Sequence, residues 1–361
     1  MFRLEARAEP SRAMSLASPL IALLLTAVLA ALLFAALGKD PVRGLGIYFF
    51  EPLNGVRAMS EVGLKATPLI ICALGLAVCY RSNVWNIGAE GQFLLGAIAA
   101  GGMAMWLSGT GLSGPRGVYS PLILLAGIVG GMGWAAITAL LRDRFNASEI
   151  LVSLMLVYVA QQLLNFLVFG PWKDPQGFNF PQTITFDMST VLPALVSGTR
   201  LHVGSLLTLL LVAVFWVFMF RSWRGFQLQV GGLAPAAARY AGFSARASLW
   251  IALLVSGACA GLAGAMEVAG PLRQLTPHLS TGIGFTAIIV CFIGRLHPVG
   301  IVFSGILLSM LLIGGELGQS RLGLPNALSG VFQGLLLVLL LACDTLIQYR
   351  VRWLSGAVVA R

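Results

Sequence analysis

Charge is what this sequence has least of. Only 10% of its 361 residues are Asp, Glu, Lys or Arg, against 58% hydrophobic. With a mean hydropathy of +0.90, too little polar surface remains to solvate a water-soluble core. Acidic residues are the scarcest, 13 against 23 basic ones, for a net charge of +10. That excess forms no basic stripe with interleaved aromatics, which argues against a nucleic-acid partner. Histidine is limited to His202, His278 and His297, far apart in sequence. No H-E-x-x-H, nucleophile elbow or carboxylate pair accompanies them, so neither a metal site nor a catalytic site is expected. The five cysteines (Cys72, Cys79, Cys259, Cys291, Cys343) lie inside apolar segments without metal or redox spacing and read as packing. A P-loop is missing as well: Gly38-Lys39-Asp40 lacks both the upstream glycine and the hydroxyl residue that holds magnesium. Gly109-Thr110-Gly111-Leu112-Ser113-Gly114 matches G-x-G-x-x-G but joins two apolar runs with no strand before it, so it is not a dinucleotide fingerprint.

What the chain has in abundance is apolar runs, each near the length that carries a helix across ~30 Å of hydrocarbon. Ten can be drawn, at 17 to 38, 63 to 80, 88 to 107, 121 to 141, 149 to 169, 203 to 220, 247 to 267, 281 to 294, 298 to 315 and 327 to 346. The fold class expected is therefore all-α, a polytopic membrane bundle of about ten transmembrane helices. Gly294, Arg295, His297 and Pro298 barely separate the eighth run from the ninth, so that pair either spans fully or re-enters. The first run follows Arg3, Arg7 and Arg12, is too long for a signal h-region and precedes no clear A-x-A site, so it reads as a retained span. Basic residues favour one side: Arg81, Arg142, Arg144, Arg221, Arg224, Arg239 and Arg246 crowd short loops shared with both termini. The positive-inside rule then puts both termini in the cytoplasm. Ten spans divide around the loop 170–202 into two sets of five, and an odd number per set would make related halves an inverted repeat with broken helices. Gly127 with Gly131, and Gly257 with Gly261 and Ala265, have the small-x-x-x-small spacing of close helix packing.

Polar residues at a membrane segment edge carry the strongest local signal. Ala66-Thr67-Pro68-Leu69-Ile70 is followed by Asn83-Val84-Trp85-Asn86-Ile87-Gly88-Ala89-Glu90-Gly91-Gln92. Thr67, Asn86, Glu90 and Gln92 either line a translocation path, with the glycines permitting non-helical backbone there, or cap an interfacial helix. Glu267, at the end of the seventh run with Gly261, Gly264 and Gly270 around it, is either a rim residue of that path or a surface carboxylate. Phe285 and Thr286, in a glycine-broken run, either touch a passing solute or pack in the core.

These strings resemble the permease family that serves ribose, branched-chain amino acid and nucleoside ABC importers, and most of all the longer permease of its nucleoside and simple-sugar branch. The resemblance runs over about residues 60 to 345. It recurs at Ser148 to Leu156, at Gly231-Gly232-Leu233-Ala234-Pro235-Ala236-Ala237-Ala238-Arg239-Tyr240-Ala241-Gly242, and from Gly282 through Pro298. Ala234 and Val157 depart from the usual asparagines. The resemblance implies one transmembrane permease domain over 1–361, in a bacterial inner membrane, with 1–16 cytoplasmic, 170–202 a periplasmic loop and 231–246 a cytoplasmic coupling helix. On that helix Pro235 opens the first turn, and Arg239 and Tyr240 meet a separate ABC ATPase, which alone binds ATP and magnesium; the chain itself holds no cofactor. A second, non-identical permease subunit, a periplasmic solute-binding protein and membrane lipid complete the implied partners. Nucleoside is the first expected solute and simple sugar the next. The rival is an ion-coupled secondary transporter, which would need buried coupling carboxylates that the sequence has few of.

Overall fold

The computed structural model describes residues 2–7, 11–111, 114–325 and 327–353, which leaves out Leu112 and Ser113 of the G-x-G-x-x-G string. Among them are thirteen α-helices: α1 (Arg12–Ala36), α2 (Pro41–Phe49), α3 (Val56–Arg81), α4 (Ala89–Gly109), α5 (Ser120–Phe145), α6 (Glu149–Phe169), α7 (Gly204–Arg221), α8 (Trp223–Leu233), α9 (Pro235–Tyr240), α10 (Ala245–Glu267), α11 (Ile283–Ile293), α12 (Pro298–Leu322) and α13 (Ala327–Gln348). A short antiparallel pair joins β1 (Phe2–Ala6) to β2 (Tyr349–Trp353).

Nine of these helices are long and apolar enough to cross a membrane. α11 is equally apolar but only 11 residues long, about 16 Å at 1.5 Å per residue and thus half a bilayer core. By length, then, α12 suffices to cross and α11 reaches only about halfway. The turn between them is forced tight. Arg295 and Leu296 both take positive φ, and a Cβ on Gly294 would collide with the backbone of Gly300 and Ile301.

The chain forms two compact units, Gly55–Ser309 and Met1–Asn54 with Met310–Arg361. In the smaller unit α1 packs along α13, and Phe34, Tyr48 and Phe332 form an aromatic knot with centroids 5.2 to 5.6 Å apart. A Cβ on Gly314 would meet the Tyr48 backbone. Arg321 pairs with Glu51, and Ser18 Oγ donates to Asp344 at 2.5 Å.

The larger unit is built around α10, which packs against α5, α4 and α3. Small residues explain how they approach. A Cβ on Gly131 would overlap the Gly257 carbonyl and the Gly261 backbone, and one on Gly96 would overlap Gly261. The predicted small-x-x-x-small stripes of α5 and α10 thus face each other, with Gly96 of α4 joining them. α3 is the most enclosed span.

At one end of this unit lies the loop 170–202, without helix yet firmly tied. Leu275 N donates to Thr183 Oγ1 (2.9 Å), while Phe186 N donates to Arg273 O and Leu192 N to Ala269 O, both at 2.8 Å. At the other end, the segment expected as one helix over 231–246 is divided. α8 runs to Leu233, Ala234 takes the extended φ −143° that a residue before proline favours, and α9 occupies only Pro235–Tyr240.

Candidate functional site

Two chain segments enter the larger unit from opposite ends and stop inside it, where each starts a helix. The first is 82–88. It leaves α3 at Arg81 through Asn83, whose φ is +54°, packs Val84 against Cys79, Ala139, Ala252 and Leu253, and reaches the level of Ser256, halfway along α10. There α4 begins. The second is 273–282, which comes from the loop 170–202 end and starts α11 at Gly282, with φ +89°. The two helix starts touch: a Cβ on Gly284 would strike the backbone of Ala89 and Glu90.

Glu90 occupies that junction, buried at 5% exposure. Its Oε2 accepts from Gly284 N at 2.6 Å, and the Ser280 side chain and the Gly282 and Phe285 amides also hydrogen-bond to the carboxylate. A half-helix that begins in apolar surroundings exposes its first amides and the positive end of its dipole. A carboxylate is the partner that answers both. The acidic group singled out in the sequence is thus the cap of a helix that starts 193 residues later, at Ile283.

Asn86 and Gln92 serve the same architecture. Their amides pair reciprocally, Asn86 Nδ2 to Gln92 Oε1 at 3.0 Å and Gln92 Nε2 to Asn86 Oδ1 at 3.2 Å. Asn86 also donates to Ser256 Oγ (2.9 Å) and accepts from Gly88 N (3.0 Å). Every polar position of the Asn86 side chain is used, so it clamps the broken segment to α4 and α10. Thr67 is buried and returns its hydroxyl to Gly63 O of its own helix (2.9 Å). It does not join the Glu90 cluster.

The remaining sequence candidates are spread out. Thr286 is buried one turn into α11, while Phe285 beside it is 39% exposed. Glu267 is buried at the far end of α10, where Lys65 and Arg200 are the positive charges acting on it. Pro235, Arg239 and Tyr240 stand on the exposed side of α9, with Tyr240 97% exposed. Only Ala238 of that helix is buried. Close to this end, Tyr80, Trp85 and Phe292 stack at 5.2 to 6.4 Å, Tyr80 donates to Asn86 O (3.1 Å), and Arg81 Nε donates to Leu296 O (2.8 Å).

One region was not recognised in the sequence. A cleft of about 490 Å³ opens beside α6, lined by Gln161, Asn165, Phe169, Phe180, Gln182 and His278 among others. The signal was present, since Gln161, Gln162 and Asn165 interrupt an otherwise apolar span. Polar side chains within a membrane segment point to water, protein or ligand rather than to lipid.

The profile of the family described as "Branched-chain amino acid transport system / permease component" matches residues 58–341. Among curated proteins, the chain is 33% identical to the glucose ABC transporter permease protein TsgB13 of Haloferax volcanii, over 92% of this chain and 89% of that one. It is 30% identical to the guanosine ABC transporter permease protein NupP of Bacillus subtilis, over 94% and 95%. With the nucleoside ABC transporter permease protein NupB of Lactococcus lactis the figure is 28%, over 85% of each. No solved structure matches. The family match runs from the start of α3 into α13 and so takes in both broken segments, α9 and the cleft beside α6. This chain therefore belongs to the family of ABC importer permease components, as a membrane-embedded transport subunit and not an enzyme.

Proposed function

We propose that this permease carries an uncharged polar solute inward, a nucleoside by first preference and a simple sugar next. Relatives named for guanosine, nucleosides and glucose support that range. A separate ATPase pair drives it, a periplasmic binding protein supplies it, and a second, non-identical permease completes the conduit. Both termini and α9 lie in the cytoplasm, and the loop 170–202 lies in the periplasm.

The observation that carries this reading is α9. Six residues between two breaks leave Arg239 exposed and Tyr240 97% exposed while burying only Ala238. An isolated helix this short has no stability of its own, and burying one alanine repays little. Such a helix suits a lever whose partner is another protein. Closure of the ATPase pair pushes α9, and the push reaches α10 through the turn 241–244. α10 in turn holds the broken segment 82–88 through Ser256 and Asn86. The stacked Tyr80, Trp85 and Phe292 then form the inner closure, and the Glu90 cap is the joint about which α11 moves.

The test is topological. In a Tyr240→Cys variant, an impermeant maleimide added to intact cells should leave position 240 unlabelled and should label it in inverted membrane vesicles. Labelling on intact cells would place α9 outside and end the proposal.

A further inference from the structure

We propose that the cleft beside α6 is a solute-binding site on the permease itself, specific for uncharged ring compounds with a flat face. The inference rests on the importer reading above and adds a location and a chemical selectivity to it.

Its walls are α6 on one side and segments 180–182 and 276–278 on the other. Phe169 and Phe180 are 58% and 66% exposed at its edge, so both rings offer a face on which a flat solute can stack. Deeper lie the amides. Gln161 Nε2 donates to Pro277 O (3.1 Å) and to Asn165 Oδ1 (3.3 Å), which leaves its Oε1 as an acceptor. Asn165 Nδ2 donates to Gln162 Oε1 (3.0 Å), which leaves its second N–H. Gln182 Oε1 accepts from Gln274 Nε2 (3.4 Å), which leaves the Gln182 amide donors. The cleft thus presents acceptor and donor positions held by neighbours in fixed orientation, beneath two aromatic rings. Gln161 lies eight residues, about 12 Å, below the end of α6, so the floor is inside the membrane-spanning part of the helix.

Selectivity follows from what the walls contain. No Asp, Glu, Lys or Arg is among the described residues lining the cleft, and His278 is its one ionisable side chain. A phosphorylated solute or a zwitterionic amino acid would bring charges that find no opposite partner, and leaving a desolvated charge unpaired is the most expensive error a site can make. A neutral ring offers a face to stack and hydroxyl or amide groups to hydrogen-bond. The volume suits it, within the range of small-molecule pockets. A nucleoside and a hexose share this chemistry, and they separate only by experiment.

The Gln161 bond to Pro277 gives the site a consequence. Pro277 lies on the segment that runs through Ser280 and Gly282 to the Glu90 cap, so occupancy at the cleft bears directly on the joint of α11.

The experiment uses the assembled importer in intact cells. All five native cysteines are buried, so Thr276→Cys, at a wall of the cleft given no binding role, introduces an isolated accessible thiol among the described residues. An impermeant maleimide should label it. Saturating guanosine or glucose, whichever the importer takes up, should slow labelling at least fivefold, and leucine should not. Failure to label, or protection by leucine, or no protection by the transported solute, overturns the proposal. In parallel, Asn165→Leu and Phe180→Ala should each raise the KM of ATP-driven uptake at least tenfold, with thermal unfolding of each variant measured as a control for misfolding. Unchanged KM in both, with wild-type uptake of nucleoside or sugar intact, refutes the cleft alone. Absence of both uptakes in the wild type refutes the solute class on which it rests.

Discussion

Replacing Glu90 by alanine removes the cap on a helix that starts inside the bundle, and the cost can be worked from its partners. The carboxylate accepts from Gly284 N at 2.6 Å and is hydrogen-bonded by the Gly282 and Phe285 amides and the Ser280 side chain. A hydrogen bond to a charged group contributes about 1.5–3 kcal/mol, and each buried donor left without a partner costs about 1–3 kcal/mol. Water entering the small space vacated by the side chain recovers part of this. A net loss of about 3–5 kcal/mol is expected, a large share of the roughly 5–15 kcal/mol that holds a protein folded. Glu90→Gln keeps an acceptor oxygen but loses the charge that answers the α11 dipole, so its loss should be about half as large. Because every native cysteine is buried, a thiol-reactive fluorophore reports unfolding directly in detergent. The order of melting temperatures should be wild type, then Glu90→Gln, then Glu90→Ala. Equal melting and equal uptake for the alanine variant would refute the capping argument.

Other perturbations follow the same physics. Ala at Gly261 would overlap the Gly127 carbonyl and press on the Gly131 backbone; overpacking a tight seam costs about 1–3 kcal/mol, and lower membrane yield with earlier melting is the expected readout. Burial pushes His202 down to about 4 from 6.5. The unfolded chain therefore takes up this proton first as pH falls. Stability is unaffected above about pH 6.5 and declines between about 6.5 and 4, by roughly 3 kcal/mol at the lower limit. His202→Gln should flatten that decline in a pH series of melting curves. Arg239→Ala and Tyr240→Ala, on the exposed side of α9, should change stability by less than about 0.5 kcal/mol and yet abolish ATP-driven uptake, which a paired melting and transport assay distinguishes.

The spans were legible because apolar runs of bilayer length have no soluble alternative, and the facing stripes of Gly127, Gly131, Gly257 and Gly261 because their spacing matches the helix repeat. α11 was less so. Its run looks like a short span, and only the positive φ of Gly282 and the collision awaiting a side chain at Gly284 show that the helix begins inside. Glu90 could be recognised as an anomaly, but its partners lie some 190 residues away, and no local pattern encodes such a pairing. Asn86 and Gln92 stand out in the sequence because polarity at a segment edge has two explanations, but their reciprocal amide pair is a clamp that no local pattern announces. The cleft beside α6 was missed for the opposite reason. Gln161, Gln162 and Asn165 are uncharged, and amides in an apolar run are easily absorbed into a span. The segment 231–246, expected as one helix, is divided because Pro235 and the extended Ala234 before it cut α9 from α8.

The measurement that bears most directly on this molecule is uptake of radiolabelled nucleoside or glucose into proteoliposomes. They would contain this chain with the second permease proposed above, and would be assayed with and without the ATPase and the binding protein. Uptake should require both, should follow ATP hydrolysis and should stop with vanadate. Transport that persists without the ATPase, driven by an imposed ion gradient, would contradict a borrowed engine and favour an ion-coupled carrier.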